Sequence, residues 1–192
     1  KRCRATGMNL YGNDKFDRLQ MRNPMPPGQH GAAKKKKSDY ALHLVEKQKI
    51  KWTYGVSERQ LVKIYEEAAK AKAVTGTKLL QLLECRLDNI LYRSGLFSSR
   101  DQVRQLVSHG HVLVNNRRLS IPSARLRTGD VVSIKESSMS FVKNVMRANR
   151  LPCPIFLSLD EAKMSVTFTS IPDREEIDQN FKESALVEFY SR

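Results

Sequence analysis

The hydrophobic period of this 192-residue chain changes at Gly110, and that change constrains its fold more than any single motif. Before Gly110 apolar residues recur at helical spacing; after it they run in short blocks separated by turn residues, as strands do. Ser38 is placed to cap a helix reaching about Ile50, with Asp39 against the positive end of its dipole. In it Tyr40, Leu44 and Val45 are expected to face inward, and Lys47, Lys49 and Lys51 to project cations. Ser57-Glu58-Arg59-Gln60 is a capping box, followed by Leu61, Ile64, Tyr65, Ala68 and Ala69 at helical spacing. From Thr77 the stripe Leu79, Leu80, Leu82, Leu83, Leu87, Ile90 and Leu91 predicts one helix ending at Gly95. A second box, Ser99-Arg100-Asp101-Gln102, opens a short helix with Val103, Leu106 and Val107 inside and Arg100 and Arg104 outside.

Past Gly110, residues 111–114 and 117–121 predict a hairpin turned by Asn115-Asn116, because Asn tolerates positive φ. Gly129-Asp130 turns the chain into a strand over 131–134, and residues 164–168 predict another. Residues 1–37, interrupted by Gly7, Gly12, Pro24, Pro26, Pro27, Gly28 and Gly31, read as an irregular basic arm ending in Lys34, Lys35, Lys36 and Lys37. The order is an arm, a helical unit, an α+β unit and a tail, without an internal repeat. The class is α+β.

Charge narrows the partner. The chain holds 34 Lys and Arg against 20 Asp and Glu, a net +14. With 40% hydrophobic residues it is a folded, strongly basic chain, suited to nucleic acid or an anionic membrane. No apolar run approaches the ~20 residues a membrane-spanning helix needs, and no helix offers a spare apolar face for surface anchoring. Residues 1–60 carry 14 basic and 5 acidic side chains, residues 61–82 carry 4 and 2, and residues 83–150 carry 12 and 5. Three separate basic regions are what a protein lodged among many phosphates requires. Residues 151–192 reverse the sign, with 4 basic and 8 acidic, and form either a surface for a basic protein neighbour or a solvated face.

Catalytic signatures are missing: there is no phosphate-binding glycine loop, zinc-protease motif or nucleophile elbow. Cys3, Cys85 and Cys153 are too sparse for a disulfide framework or a zinc knuckle, and point to a reducing, cytosol-like compartment. His109 and His111 bracket Gly110, but no Cys or carboxylate cluster completes a metal site with them. No metal and no cofactor are expected. Asp88, beside Arg86, reads as a helix-stabilising or Arg-orienting carboxylate. The chain begins at Lys1 rather than Met and has no signal-peptide core, so a further upstream segment is expected.

The stretch Leu83-Glu84-Cys85-Arg86-Leu87-Asp88-Asn89, then Ser99-Arg100 on to Arg104-Gln105-Leu106-Val107-Ser108-His109-Gly110-His111, then Val114-Asn115-Asn116-Arg117, resembles the RNA-binding module named after small-subunit ribosomal protein four. RNA-modifying and tRNA-charging enzymes carry the module too and are the alternative class, but they need a catalytic domain for which this chain leaves no room. Pro26-Pro27-Gly28-Gln29-His30-Gly31, Ser38-Asp39-Tyr40, Glu46-Lys47-Gln48-Lys49, Tyr54-Gly55-Val56-Ser57-Glu58-Arg59-Gln60 and Val187-Glu188-Phe189-Tyr190-Ser191-Arg192 extend the likeness along nearly the whole chain, to the bacterial-type family of ribosomal protein four. Asn116 stands where that family usually has Gly. Some members hold zinc in the arm; with Cys3 alone there, this chain looks zinc-free.

The resemblance implies a helical domain, residues 38–82 completed by 180–192, that accepts residues 83–179 as an inserted α+β domain. The RNA-binding module lies at about 84–146 in it, with two short helices packed on a small, mainly antiparallel sheet. It implies a non-enzymatic monomeric constituent of the small ribosomal subunit, cytoplasmic or organellar, that binds 16S-type rRNA early in assembly at a multi-helix junction of the 5′ domain. RNA contact is then expected from Arg2 and Arg4, from Lys47, Lys49, Lys51 and Arg59, and from Arg86, Arg100, Arg104, Gln105, His109, His111, Asn115, Arg117 and Arg118. Lys34, Lys35, Lys36 and Lys37 would meet mRNA where it enters the subunit. Glu175, Glu176 and Glu188 would face small-subunit ribosomal protein five, an interface that bears on translational accuracy.

Overall fold

The computed structural model describes residues 1–31, 33, 36, 38–145 and 152–191. Helices α1 (Arg2–Thr6), α2 (Asp14–Arg22), α3 (Asp39–Thr53), α4 (Glu58–Lys70), α5 (Thr75–Glu84), α6 (Leu87–Arg93) and α7 (Arg100–Ser108) come first. Strands β1 (Val112–Val114), β2 (Arg117–Arg118) and β3 (Val131–Ile134) follow, then α8 (Met139–Val145), β4 (Leu157–Asp160), β5 (Ser165–Phe168) and α9 (Glu183–Ser191). The chain divides into two compact units, Lys1–Leu79 with Asp178–Arg192, and Leu80–Ile177. The first is helical and the second α+β, the class the change of period predicts.

In unit 1 local capping sets the helix starts. Ser38 Oγ accepts the Ala41 N–H at 3.3 Å. Ser57 and Gln60 close a full capping box, Oγ accepting the Gln60 N–H at 3.3 Å and Gln60 Oε1 accepting the Ser57 N–H at 3.1 Å. Helix α9 lies against α3. Leu186 of α9 is buried, as are Ile50, Leu61 and Ile64, and the Tyr54 and Phe181 rings meet at 5.9 Å.

The polar centre of this packing is Glu58. It accepts from Lys47 Nζ at 2.7 Å, Lys51 Nζ at 2.8 Å and Tyr190 Oη at 2.7 Å, and the Lys47 ammonium also sits 4.3 Å from the Phe189 ring centre. Burial pushes the Glu58 carboxyl up, but hydrogen bonds from Lys47, Lys51 and Tyr190 outweigh it and bring it from 4.5 to about 2. Burial, helped by the Glu58 charge, drives the Tyr190 phenol above its ordinary value. A carboxyl lowered on folding stabilises the fold fully above pH 4.5, and that contribution is lost as pH falls toward 2. The carboxylate is 40% exposed, so screening reduces its worth to ~1–2 kcal/mol. The stability gap between wild type and Glu58→Gln should therefore be constant above about pH 4.5 and close between about pH 4.5 and 2, as read by urea unfolding at each pH.

Three expectations for unit 1 need correction. The arm is not irregular: α1 and α2 lie in it, and Asn13 caps α2 by accepting the Lys15 N–H at 3.0 Å. The glycines and prolines bound these helices rather than prevent them. Tyr40 faces solvent, its ring 5.5 Å from that of Phe189. Lys47 does not project a cation; it is buried and paired with Glu58.

Unit 2 is a five-stranded antiparallel sheet in the order β2-β1-β3-β5-β4. Alternation puts Val112, Val132, Ile134, Val166 and Phe168 on one face, in a single core with Leu87, Ile90 and Leu91 of α6 and Val103, Leu106 and Val107 of α7. The hairpin turn is as expected: Asn115 at φ 48° and Asn116 at φ 61° supply the positive-φ pair of a tight two-residue turn. Sequence reading missed β4, hidden just after Pro152 and Pro154, and β2 is shorter than its apolar continuation suggests.

The long helix predicted from Thr77 to Gly95 is two helices. Arg86 is extended, at φ −73° and ψ 141°. Leu126 N–H donates to Cys85 O at 2.9 Å and Leu87 N–H to Ala124 O at 2.8 Å, so residues 85–87 pair like a strand. Tertiary pairing overrides a continuous helical pattern here.

Candidate nucleic-acid interface

The break between α5 and α6 places two carboxylates where helix continuation would have carried them elsewhere. Asp88, in the first turn of α6, and Glu84, at the end of α5, are each 1% exposed. Charges so buried persist only when paired. Arg86 donates to Asp88 through Nε at 3.0 Å and Nη2 at 2.8 Å. Arg104, on α7, reaches the same carboxylate through Nε at 2.8 Å and Nη2 at 2.8 Å. Glu84 takes Arg93 at 3.1 and 2.7 Å, and the Asn89 amide donates to it. Arg100 Nε donates to Asn89 Oδ1 at 2.9 Å, with its guanidinium 4.0 Å from the Tyr92 ring centre. Four guanidiniums are thus fixed by two buried acids, one amide and one ring.

These residues sort into support and presentation. Arg86, expected to touch RNA, is corrected to support: its side chain is 5% exposed and both of its bonds go to Asp88. Arg93 and Arg104 keep 26% and 24% of their surface, enough to meet a phosphate while held. Gln105 is exposed on α7, and His109 beyond its end. The His109 and His111 rings lie 6.1 Å apart, with His111 Nδ1 2.8 Å from Ser138 Oγ. Arg117 and Arg118 are exposed on β2, and the Arg118 guanidinium fills the space where a Cβ on Gly110 (φ +78°) would stand. A side chain at this left-handed position would be strained and would displace the Arg118 guanidinium.

Asn115 is exposed and tied into its turn. Its Nδ2 donates to Asp130 Oδ1 at 2.8 Å and its Oδ1 accepts the Val131 N–H at 2.9 Å. Both ends of the amide tie the hairpin to the next turn, which positions Arg117 and Arg118. Asp88 matches the Arg-orienting reading of the sequence. Sequence reasoning misses Glu84, Asn89 and Arg93; their signal is polar residues inside a leucine stripe.

In unit 1 the expected cations are mostly engaged. Lys49 pairs with Glu46 at 2.7 Å and Lys51 with Glu58 at 2.8 Å. Arg4 donates to Met25 O at 2.8 Å, and Arg2 lies 5.7 Å from the Trp52 ring centre. Arg59 is exposed. Of the lysine run, Lys36 is exposed, while Lys34, Lys35 and Lys37 lie outside the described residues. Glu175 and Glu176 are exposed in a short helical turn, and Glu188 is 3.3 Å from His43. Among the described residues no His, Cys, Asp and Glu cluster of metal-binding size occurs, and no helix is long and apolar enough to cross a membrane.

Comparison with known proteins gives the family. Residues 1–84 match the family described as ribosomal protein S4/S9 N-terminal domain, and residues 85–132 match the S4 domain. The chain is 45% identical over 198 residues to small ribosomal subunit protein uS4 of Gloeobacter violaceus, covering all of this chain and 96% of that protein. It is 45% identical to that of Geobacillus stearothermophilus, again with 100% and 96% covered. Identity to uS4 of Thermoanaerobacter pseudethanolicus is 46%, with 99% and 95% covered. These bacterial relatives are named as ribosomal proteins, not as enzymes. By full-length identity and by both of its domains, the chain belongs to the family of small ribosomal subunit protein uS4.

Proposed function

We propose that this chain binds 16S-type rRNA of the small ribosomal subunit directly, as an early assembly protein seated at a multi-helix junction of the 5′ domain. The observation that carries this is the group of guanidiniums on unit 2 held by Asp88, Glu84 and Asn89, with Arg117 and Arg118 exposed on β2 of the same unit. A-form RNA hides its base edges in a deep, narrow groove, so fixed cations meeting phosphates and 2′-hydroxyls are the means of recognition. Helices converging at a junction repel one another. A protein that binds only the folded arrangement stabilises it by linkage.

The resemblance extends the proposal. Lys34, Lys35, Lys36 and Lys37 guide mRNA where it enters the subunit. Glu175, Glu176 and Glu188 belong to the acidic 151–192 stretch and meet small-subunit ribosomal protein five at a polar interface that influences accuracy. The test is competition for the full chain bound to a labelled 5′-domain rRNA fragment. Unlabelled fragment should displace it, and an equal excess of unrelated structured RNA should not. Equal displacement by both would overturn the reading.

A further inference from the structure

Beneath the exposed face of α7, Glu84 and Asn89 are each 1% exposed. A buried carboxylate and a buried amide cost stability unless fully paired, and well-packed apolar residues serve folding as well or better. What these two groups do is directional. Glu84 accepts both Nε and Nη2 of Arg93, which fixes the plane of that guanidinium as well as its position. It also accepts from Asn89 Nδ2. An asparagine amide has one donor end and one acceptor end, so the Glu84 contact turns Oδ1 the other way, toward Arg100 Nε at 2.9 Å. The Tyr92 ring at 4.0 Å supports the Arg100 guanidinium from its face.

We propose that Glu84 and Asn89 are positioning residues for RNA binding, acting through Arg93 and Arg100 by holding both guanidiniums in place before a phosphate arrives. The proposal rests on the rRNA-binding reading above. A mobile arginine loses rotamer freedom when it meets a phosphate, whereas one already held has lost it on folding, so binding is tighter for the same contacts. The carboxylate gives up some net positive charge in exchange for geometry. A bidentate fork rewards that exchange, because both of its N–H groups must be aligned at once.

The test is a double-mutant cycle on the full chain with the labelled 5′-domain rRNA fragment, with thermal unfolding of every variant alongside. Arg93→Ala with Arg100→Ala should weaken binding roughly 10–100-fold, and Glu84→Gln alone roughly 10-fold. Added to the chain already lacking both arginines, Glu84→Gln should weaken it no further. Should Glu84→Gln lower the unfolding temperature too far, Asn89→Leu, which retains buried volume, takes its place in a cycle with Arg100→Ala. An equal loss in both backgrounds would show that Glu84 or Asn89 merely supports the fold, and would overturn the proposal. So would a Glu84→Gln chain that binds as tightly as wild type while the arginine variants do not. A wild-type chain with no preference for this RNA would instead overturn the functional reading itself.

Discussion

Asp88→Ala should destabilise unit 2 by about 3–5 kcal/mol, enough to leave it marginal or unfolded on the usual ~5–15 kcal/mol scale of domain stability. The size follows from what remains behind. Arg86 is 5% exposed and has both of its hydrogen bonds on this carboxylate. Alanine leaves that guanidinium buried and uncompensated, whereas Arg104, at 24%, can turn to water. Removing the whole pair is a different matter, since apolar residues of similar volume often replace a buried ion pair with no net cost. Arg86→Met combined with Asp88→Leu should therefore recover most of the loss. Urea unfolding of the three chains checks this, and the order wild type, double variant, Asp88→Ala in falling stability is the expected result.

Affinity for the 5′-domain fragment should fall by roughly 10³–10⁵ between about 50 and 200 mM salt, as expected for ~6–10 neutralised phosphates. The structure also says which side chains set the slope. Arg117 and Arg118 are exposed, so replacing either with alanine should lower the slope of log affinity against log salt by about 0.7–0.9, the share of one phosphate that is no longer neutralised. Lys47 is buried on Glu58, so Lys47→Ala should leave the slope unchanged whatever it does to stability. Filter binding across a salt series measures both. A slope that responds equally to Lys47 and Arg117 would contradict the sorting of cations into supporting and presenting groups.

What is legible in the sequence is what short-range rules decide. The capping box at Ser57, the Asn115-Asn116 turn and the strand at Val131–Ile134 each depend on a few neighbouring residues, and each is present. The break at Arg86 is not legible, because its cause, pairing with residues 124–126, lies some forty positions away. The same holds for Lys47, a lysine whose surroundings at Phe189 and Tyr190 are set by a helix far along the chain. In the candidate interface, exposed Arg117, Arg118, Gln105 and His109 can be picked by type and place. Glu84 and Asn89 cannot, since nothing local tells a polar residue in a leucine stripe which guanidinium it will hold.

Glu58 makes its bond to Tyr190 across 132 positions of chain, and that separation has a consequence during synthesis. A nascent polypeptide emerges N-terminal end first, at about 5–20 residues per second. When Leu79 has emerged, the α3 surface that will receive α9 is bare, and it remains so while all of Leu80–Ile177 is made. That interval is on the order of ten seconds, far longer than a small domain needs to fold. All of unit 2 is therefore synthesised before α9 exists to cover α3. The helical unit waits through that whole stretch for Leu186 and Tyr190, the last of its parts to be made.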